Sequence, residues 1–503
     1  MLAALGRAGE QTNRAVAWLF AAVLVWAPLP YASNRPWSWA LLAVLAGALL
    51  LAWSLAQILG AKRVRVPWVV WVAFLTTALV WGWAWLQTVP VADLPAWFAD
   101  KANPVWTDAA AAGLKVQPTM GLDAAAGRDA LMKLVTYAVM FALAFALAQE
   151  SERARAGYAL LLVLISVEAL YGLINLFAGW NTVLWEDGPK DYAGYVTGTF
   201  VNRNSFATYA NIAILIGLGF LLEPFMKEGA IGRFGTIVHD TVEKLVGPRL
   251  LLLLALVILS AASLLTGSRG GFLSLALAII VFFLLVLLVS RPRRAVGIGA
   301  TVAVVLIAIG IFQVSGGVVS ERLAATDETL SFRTVIWALT LRAARHRPWL
   351  GQGYGNYEAG VAPYKNDEYL LTVDLAHSTY LEHYLELGLP ATLLLYAGPV
   401  LLFGYCVRGI FVRRRDQMLP LVAASVTVLV AVHSLVDFSL QMPAVAVTYA
   451  TVLGIGVAQS MRSKSATEDL SRSRPVPEPT RPVAAPVRPR PPRRKRSPAA
   501  AGG

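Results

Sequence analysis

The chain has 503 residues, of which 57% are hydrophobic and only 15% charged. A water-soluble core cannot absorb that much apolar surface and still present a charged exterior, so the composition excludes a string of soluble domains and requires lipid. The formal net charge of +13 is not a nucleic-acid signal: residues 461–503 hold eleven Lys or Arg against three acidic residues, and the remainder is mildly basic.

A helix needs roughly 20 apolar residues to cross a hydrocarbon core of about 30 Å. Twelve such runs follow one another: Ala15 to Leu29, Trp39 to Leu59, Val66 to Val89, Leu131 to Ala148, Ala156 to Ala178, Phe206 to Leu222, Leu250 to Leu265, Phe272 to Val289, Val296 to Val314, Leu389 to Val407, Leu419 to Leu435 and Ala444 to Ala458. Every second loop is basic, with Lys62, Arg63 and Arg65, then Arg153 and Arg155, then Lys227, Arg233, Lys244 and Arg249, then Arg291, Arg293 and Arg294, then Arg408, Arg413, Arg414 and Arg415. The positive-inside rule then predicts both termini on the cytoplasmic side. No convincing small-residue cleavage site follows the first run, and further spans come at once, so it reads as a span and not as a signal peptide. The single Cys406 excludes an intramolecular disulfide and a cysteine metal cluster.

The expected fold is therefore all-α, a polytopic membrane domain over 1–460 with a tail over 461–503. The tail is rich in Pro and Arg, and is read as a disordered cytoplasmic extension attracted to anionic headgroups. Two outer segments are long enough to do work. Pro90 to Arg128 is moderately polar and reads as a loop at the interface, and 315–388, between the ninth and tenth runs, is long, polar and helically patterned.

Arginine is costly in a membrane, and short outer loops are poor in it. Yet Arg203, in Thr197-Gly198-Thr199-Phe200-Val201-Asn202-Arg203-Asn204, and Arg269, in Thr266-Gly267-Ser268-Arg269-Gly270-Gly271, both fall on the outer face, joined there by Arg333. Guanidinium forks match phosphate oxygens, and the glycines allow close approach at a helix N-terminus, so a diphosphate is the expected ligand. Each arginine could equally pair with a headgroup or a loop carboxylate. His377 precedes Tyr380, Leu381 and Tyr384 at spacings that would share one helical stripe, at the membrane's outer edge, where an imidazole suits proton transfer. A structural hydrogen bond is its other reading. His433 and Asp437, four apart, are expected to face each other across one helical turn, as a polar lock between helices or as part of the site. No HExxH, paired-aspartate or Cys/His cluster occurs, and no metal or other cofactor is expected.

Taken in order, these motifs resemble the O-antigen ligase and polymerase superfamily of bacterial envelope proteins over about Tyr195 to Pro443. The resemblance also rests on His346-Arg347-Pro348-Trp349-Leu350-Gly351-Gln352-Gly353-Tyr354-Gly355, on Ala376-His377-Ser378-Thr379-Tyr380-Leu381-Glu382 with Glu386-Leu387-Gly388, and on Val432-His433-Ser434-Leu435-Val436-Asp437-Phe438. It implies a GT-C-like glycosyltransferase in the bacterial inner membrane, with its site facing the periplasm. The donor would be a polyprenyl-diphosphate-linked glycan and the acceptor a glycan, lipid A core or another hydroxyl, without metal or sugar nucleotide. By the same resemblance Arg203, Arg269 and Arg333 would contact the diphosphate and His377 would be the essential, catalytic loop histidine. Asn204, Glu382, His433 and Asp437 are the candidate supporting residues. Trp349, Tyr354, Tyr357 and Tyr364 offer flat faces to sugar rings or anchors to the interface. A multispan transporter of a small anion and a non-catalytic envelope-assembly scaffold are the competing readings.

Overall fold

The computed structural model describes residues 2–188, 192–226, 248–289, 333–365, 374–413 and 415–461. The basic tail, the ninth apolar run and the first part of the segment 315–388 lie outside the described residues. What is described is mostly helical, with one two-stranded hairpin, Thr182–Val183 against Glu186–Asp187.

In chain order the helices are α1 (Leu2–Trp26), α2 (Pro36–Ile58), α3 (Trp68–Leu86), α4 (Val105–Ala111), α5 (Ala124–Leu147), α6 (Ser151–Phe177), α7 (Arg203–Met226), α8 (Pro248–Leu265), α9 (Arg269–Val289), α10 (333–346), α11 (Tyr357–Val361), α12 (Thr379–Leu387), α13 (Leu389–Val412), α14 (Met418–His433) and α15 (Pro443–Ala458). Seven of them, α2, α3, α5, α6, α7, α9 and α13, are long and apolar enough to cross a membrane. The apolar helices α8, α14 and α15 are shorter. The expected twelve spans are thus seven such helices among the described residues, since α1 opens with a polar stretch and the run 296–314 lies outside them.

Burial sorts these helices. Along α15 nearly every residue is buried, and α14 beside it is covered over most of its length. Close packing here needs small side chains: a Cβ on Gly456 would lie 2.1 Å from the Ala423 Cβ, and one on Gly454 would lie 2.7 Å from the Phe141 carbonyl. By contrast α2, α3 and α9 expose large apolar groups such as Leu51, Trp71, Leu75 and Leu273. Such faces are stable against acyl chains and unstable in water.

At one end of the bundle, Arg155 is paired with Glu223 and Asp416, and Lys62 lies 2.8 Å from Glu150. At the other end, the segment expected as a loop over Pro90 to Arg128 is tied down. It includes α4 and stops at Asp123, whose carboxylate accepts the amides of Ala125 and Ala126 at the start of α5. Gln87 donates to the Leu350 carbonyl at 2.8 Å and Asn103 to Gln352 at 2.9 Å, while Arg347 donates to the carbonyls of Met120 and Lys101 at 2.8 and 2.7 Å. The stretch from Arg347 to Gln352 is therefore a docking strip for this segment. Gly351 has φ +73°, and a Cβ there would lie 2.2 Å from the Glu386 carbonyl, so no other residue fits.

Candidate functional site

The site forms at this second end, where three helix termini meet. Asn202 caps α7 by accepting the amide of Asn204 at 2.7 Å, which sets Arg203 as the first helical residue. The Arg203 guanidinium stacks over Tyr195 at 4.0 Å and reaches the Thr266 carbonyl at 3.5 Å. Thr266 opens the three-residue turn between α8 and α9. Gly267 in that turn has φ +61°, and a Cβ on it would lie 2.9 Å from the Tyr195 ring and 3.1 Å from Arg203. The Ser268 hydroxyl then accepts the Gly271 amide at 3.2 Å and caps α9, whose first residue is Arg269. Two arginines thus begin two adjoining helices, where a cation stands against the helix dipole and an anion is favoured.

The same first turn of α9 rests on His433: a Cβ on Gly270 would lie 3.0 Å from the imidazole Nε2. His433 and Asp437 do not face each other across one helical turn as expected, because α14 ends at His433 and a turn carries the chain to Asp437. Each takes its partner from α7 instead. His433 is hydrogen-bonded to Thr208, and the Asp437 carboxylate accepts from Asn204 at 2.7 Å. Asp437 is 1% exposed, accepts the Phe438 amide at 2.8 Å with its other oxygen, and faces Arg333 at 3.9 Å.

His377 completes this group from another direction. It does not sit on the expected helical stripe with Tyr380, Leu381 and Tyr384, because α12 starts only at Thr379. His377 instead precedes the helix at φ +48°, a left-handed conformation rare outside Gly, Asn, Asp and His. Three bonds hold it there. Glu382 Oε2 accepts the Ala376 amide at 3.0 Å, the Thr379 hydroxyl donates to the Asp437 carbonyl at 3.0 Å, and the Thr379 amide donates to Ser434 at 3.0 Å. The imidazole packs on Phe438 with ring centroids 5.1 Å apart, and its Nδ1 is buried without a hydrogen-bond partner. Burial lowers its pKa below the usual histidine value; Asp437 and Asp374 oppose that shift and Arg333 adds to it. A neutral imidazole is the form that accepts a proton.

The structure therefore gathers His377, Arg333, Asp437, Asn204 and His433 into one cluster, and sets Arg203 and Arg269 beside it through the 266–271 turn. Glu382 acts on the backbone before His377. Thr208, Thr379 and Phe438 belong to the cluster and are not singled out by the sequence; Thr208 carries a signal only as the residue one helical turn after Asn204. The four aromatics divide. Trp349 is 66% exposed. Tyr354 and Tyr364 lie against His383 and His346 at ring distances of 5.9 and 5.0 Å. Tyr357 is buried and bonded to Thr340 at 2.9 Å, so it presents no face to a ligand.

Residues 254–396 match the family model described as O-antigen ligase, Wzy_C. The matched segment contains Arg269, Arg333, His377 and Glu382, whereas Arg203, Asn204, His433 and Asp437 flank it. No curated protein matches the chain.

Proposed function

We propose that this membrane protein, whose residues 254–396 match the O-antigen ligase family model, transfers a glycan from a polyprenyl-diphosphate-linked donor to an acceptor hydroxyl. The observation that carries this reading is the His377 imidazole, buried with an unpartnered Nδ1 beside the Arg333 and Asp437 pair.

In the proposed step the diphosphate lies among Arg203, Arg269 and Arg333, at the N-termini of α7 and α9. The acceptor oxygen attacks the anomeric carbon from the opposite face, and its proton passes to the imidazole of His377. The bond from that carbon to the diphosphate oxygen breaks, the electron pair leaves with the diphosphate, and the guanidinium groups meet the growing charge. Asp437 steadies the imidazolium so formed, and the anomeric centre inverts. The site faces the periplasm of a bacterial inner membrane in this reading, and needs no metal, because arginines serve the leaving group.

The test is reconstitution. Purified protein in liposomes is supplied with lipid-linked repeat units and lipid A core. Elongated lipid-linked chains identify a polymerase, and glycan on the core identifies a ligase. A donor left intact under both conditions sinks the proposal.

A further inference from the structure

Glu168 stands inside α6, nine residues or roughly 13 Å from the outer end of that helix. It is 4% exposed, and among the described residues no basic side chain pairs with it. A lone carboxylate at such depth is expensive, and an ionisable group within a span is rarely idle.

The hydrogens around Thr199 decide the state of this residue. The Thr199 hydroxyl oxygen lies 2.8 Å from the Pro28 carbonyl oxygen and 3.0 Å from Glu168 Oε2, all of them buried. Two oxygens this close need a hydrogen between them, or they repel. A carbonyl brings none, so the single hydroxyl hydrogen of Thr199 lies on the Pro28 side. The hydrogen between Thr199 and Glu168 can then come only from the carboxyl, whose other oxygen is left to accept the Thr199 amide. Pro28 is itself held in place. Its carbonyl also accepts the Ala32 amide at 2.8 Å, in a turn where Tyr31, Ala32 and Ser33 have φ of 53°, 57° and 57°. L-residues seldom take this left-handed conformation in succession, so the turn depends on its contacts, that with Thr199 among them.

Thr199 sits in the middle of the strap 195–203, which carries both Arg203 and the Tyr195 ring on which the guanidinium stacks. The strap lies close on α6: a Cβ on Gly172, one helical turn after Glu168, would lie 2.8 Å from the Val196 side chain and 3.0 Å from the Gly198 amide nitrogen. Beyond Thr199 the buried Phe200 packs on Phe206 and Tyr209 at 5.7 and 5.0 Å, and Asn202 then caps α7. Glu168 thus bonds the strap and not the guanidinium.

We propose that Glu168, as a neutral acid, is a positioning residue for the diphosphate end of the site: its bond to Thr199 holds the strap that sets Arg203 and Tyr195. The inference rests on the glycan-transfer reading for what Arg203 binds, and on the hydrogen count alone for the state of Glu168.

The experiment takes full-length protein in nanodiscs, with inorganic pyrophosphate as the probe. At neutral pH the infrared difference between wild type and Glu168→Gln should contain the C=O band of a protonated carboxyl. Glutamine can donate to Thr199 through its amide nitrogen and accept through its oxygen, so this variant should bind pyrophosphate as wild type does. Glu168→Ala should raise the half-saturating concentration about tenfold, the value of one buried hydrogen bond. The same substitution made in Arg203→Ala protein should add no more than about twofold, because both act through one group. Thr199→Val, which keeps the shape and loses the hydroxyl, should match Glu168→Ala and replaces it if the alanine protein does not fold. A missing carboxyl band, or a glutamine protein as weak as the alanine one, indicates an ionised glutamate and overturns the proposal. An alanine effect that multiplies with that of Arg203→Ala makes Glu168 a general support of the fold and overturns it equally. Wild-type protein that binds no pyrophosphate sinks the diphosphate reading and the positioning role with it, while the carboxyl band still decides the state of Glu168.

Discussion

Asn204 donates to the Asp437 carboxylate at 2.7 Å, joining the first turn of α7 to the chain just beyond α14. The contact bridges the arginine pair and the histidine. Asn204 follows Arg203 directly, while Asp437 faces Arg333 and its backbone holds Thr379, two residues past His377. Asp437→Asn keeps the shape and removes the charge, so Arg333 loses its counter-ion and two amide donors compete at one bond. Loss of a hydrogen bond to a buried charged group costs about 2 kcal/mol. The expected outcome is a lower unfolding midpoint in detergent together with a fall in glycan transfer of about 100-fold, the size of a lost acid–base contribution.

His377→Asn separates backbone from chemistry. Asparagine tolerates the left-handed conformation that His377 adopts, so the loop should keep its path. Folding, read by melting temperature and gel-filtration profile, should change little. Transfer should fall by about 100-fold or more, because an amide cannot take a proton at neutral pH. A fully active His377→Asn protein would remove the histidine from the mechanism.

The pH dependence has a definite sign. The His377 pKa is lowered in the folded protein, chiefly by burial. The neutral base is present above that pKa and is lost as pH falls through it, so the acid limb of kcat/KM should lie below about 6.5, the value of a free imidazole. Arg333→Gln removes a charge that lowers the pKa and should move the limb to higher pH. Asp437→Asn removes one that raises it and should move the limb the other way. Rate profiles of the three proteins check both directions.

Sidedness can be read with thiol reagents, because the natural Cys406 is buried. Lys115 is exposed at the site end and Lys62 at the opposite end. With the site facing the periplasm, Lys115→Cys should react with an impermeant maleimide in spheroplasts, and Lys62→Cys only after the membrane is opened. The reverse pattern would turn the protein over.

Much of this architecture is legible because lipid imposes a simple code. Long apolar runs such as Trp39 to Leu59 can only be helices in lipid, and the eleven runs that lie among the described residues all fall on helices. The arginine motifs are legible for a similar reason, since a charge at a span boundary stands out against Leu and Val. What the sequence hides is where a helix stops. His433 and Asp437 carry helical spacing, yet the chain leaves the helix between them, because Asp437 gains more from Asn204 and the Phe438 amide than from another helical turn. The same limit misplaces His377 on a stripe. Spacing also cannot reveal that Tyr357 turns inward or that Gln352 binds Asn103, since those contacts link segments far apart in the chain.

Glu382 illustrates how a residue can matter to the site without touching a substrate's reacting atoms. Its Oε2 accepts the Ala376 amide at 3.0 Å, and that bond closes the turn holding His377 at φ +48°. Glutamine at position 382 has an oxygen in the same place, so Glu382→Gln should retain most transfer activity and leave the acid limb where it was. Glu382→Ala leaves the Ala376 amide unsatisfied in a buried setting, at about 1–3 kcal/mol, and frees the loop. Its kcat should drop at least tenfold with the donor KM little changed, because the arginines are untouched. A purely structural glutamate would instead lower the amount of folded protein and leave the kcat of the folded fraction intact. A charge-dependent role would make the glutamine protein as poor as the alanine one. Kinetics on the two variants, normalised to folded protein, distinguish all three cases.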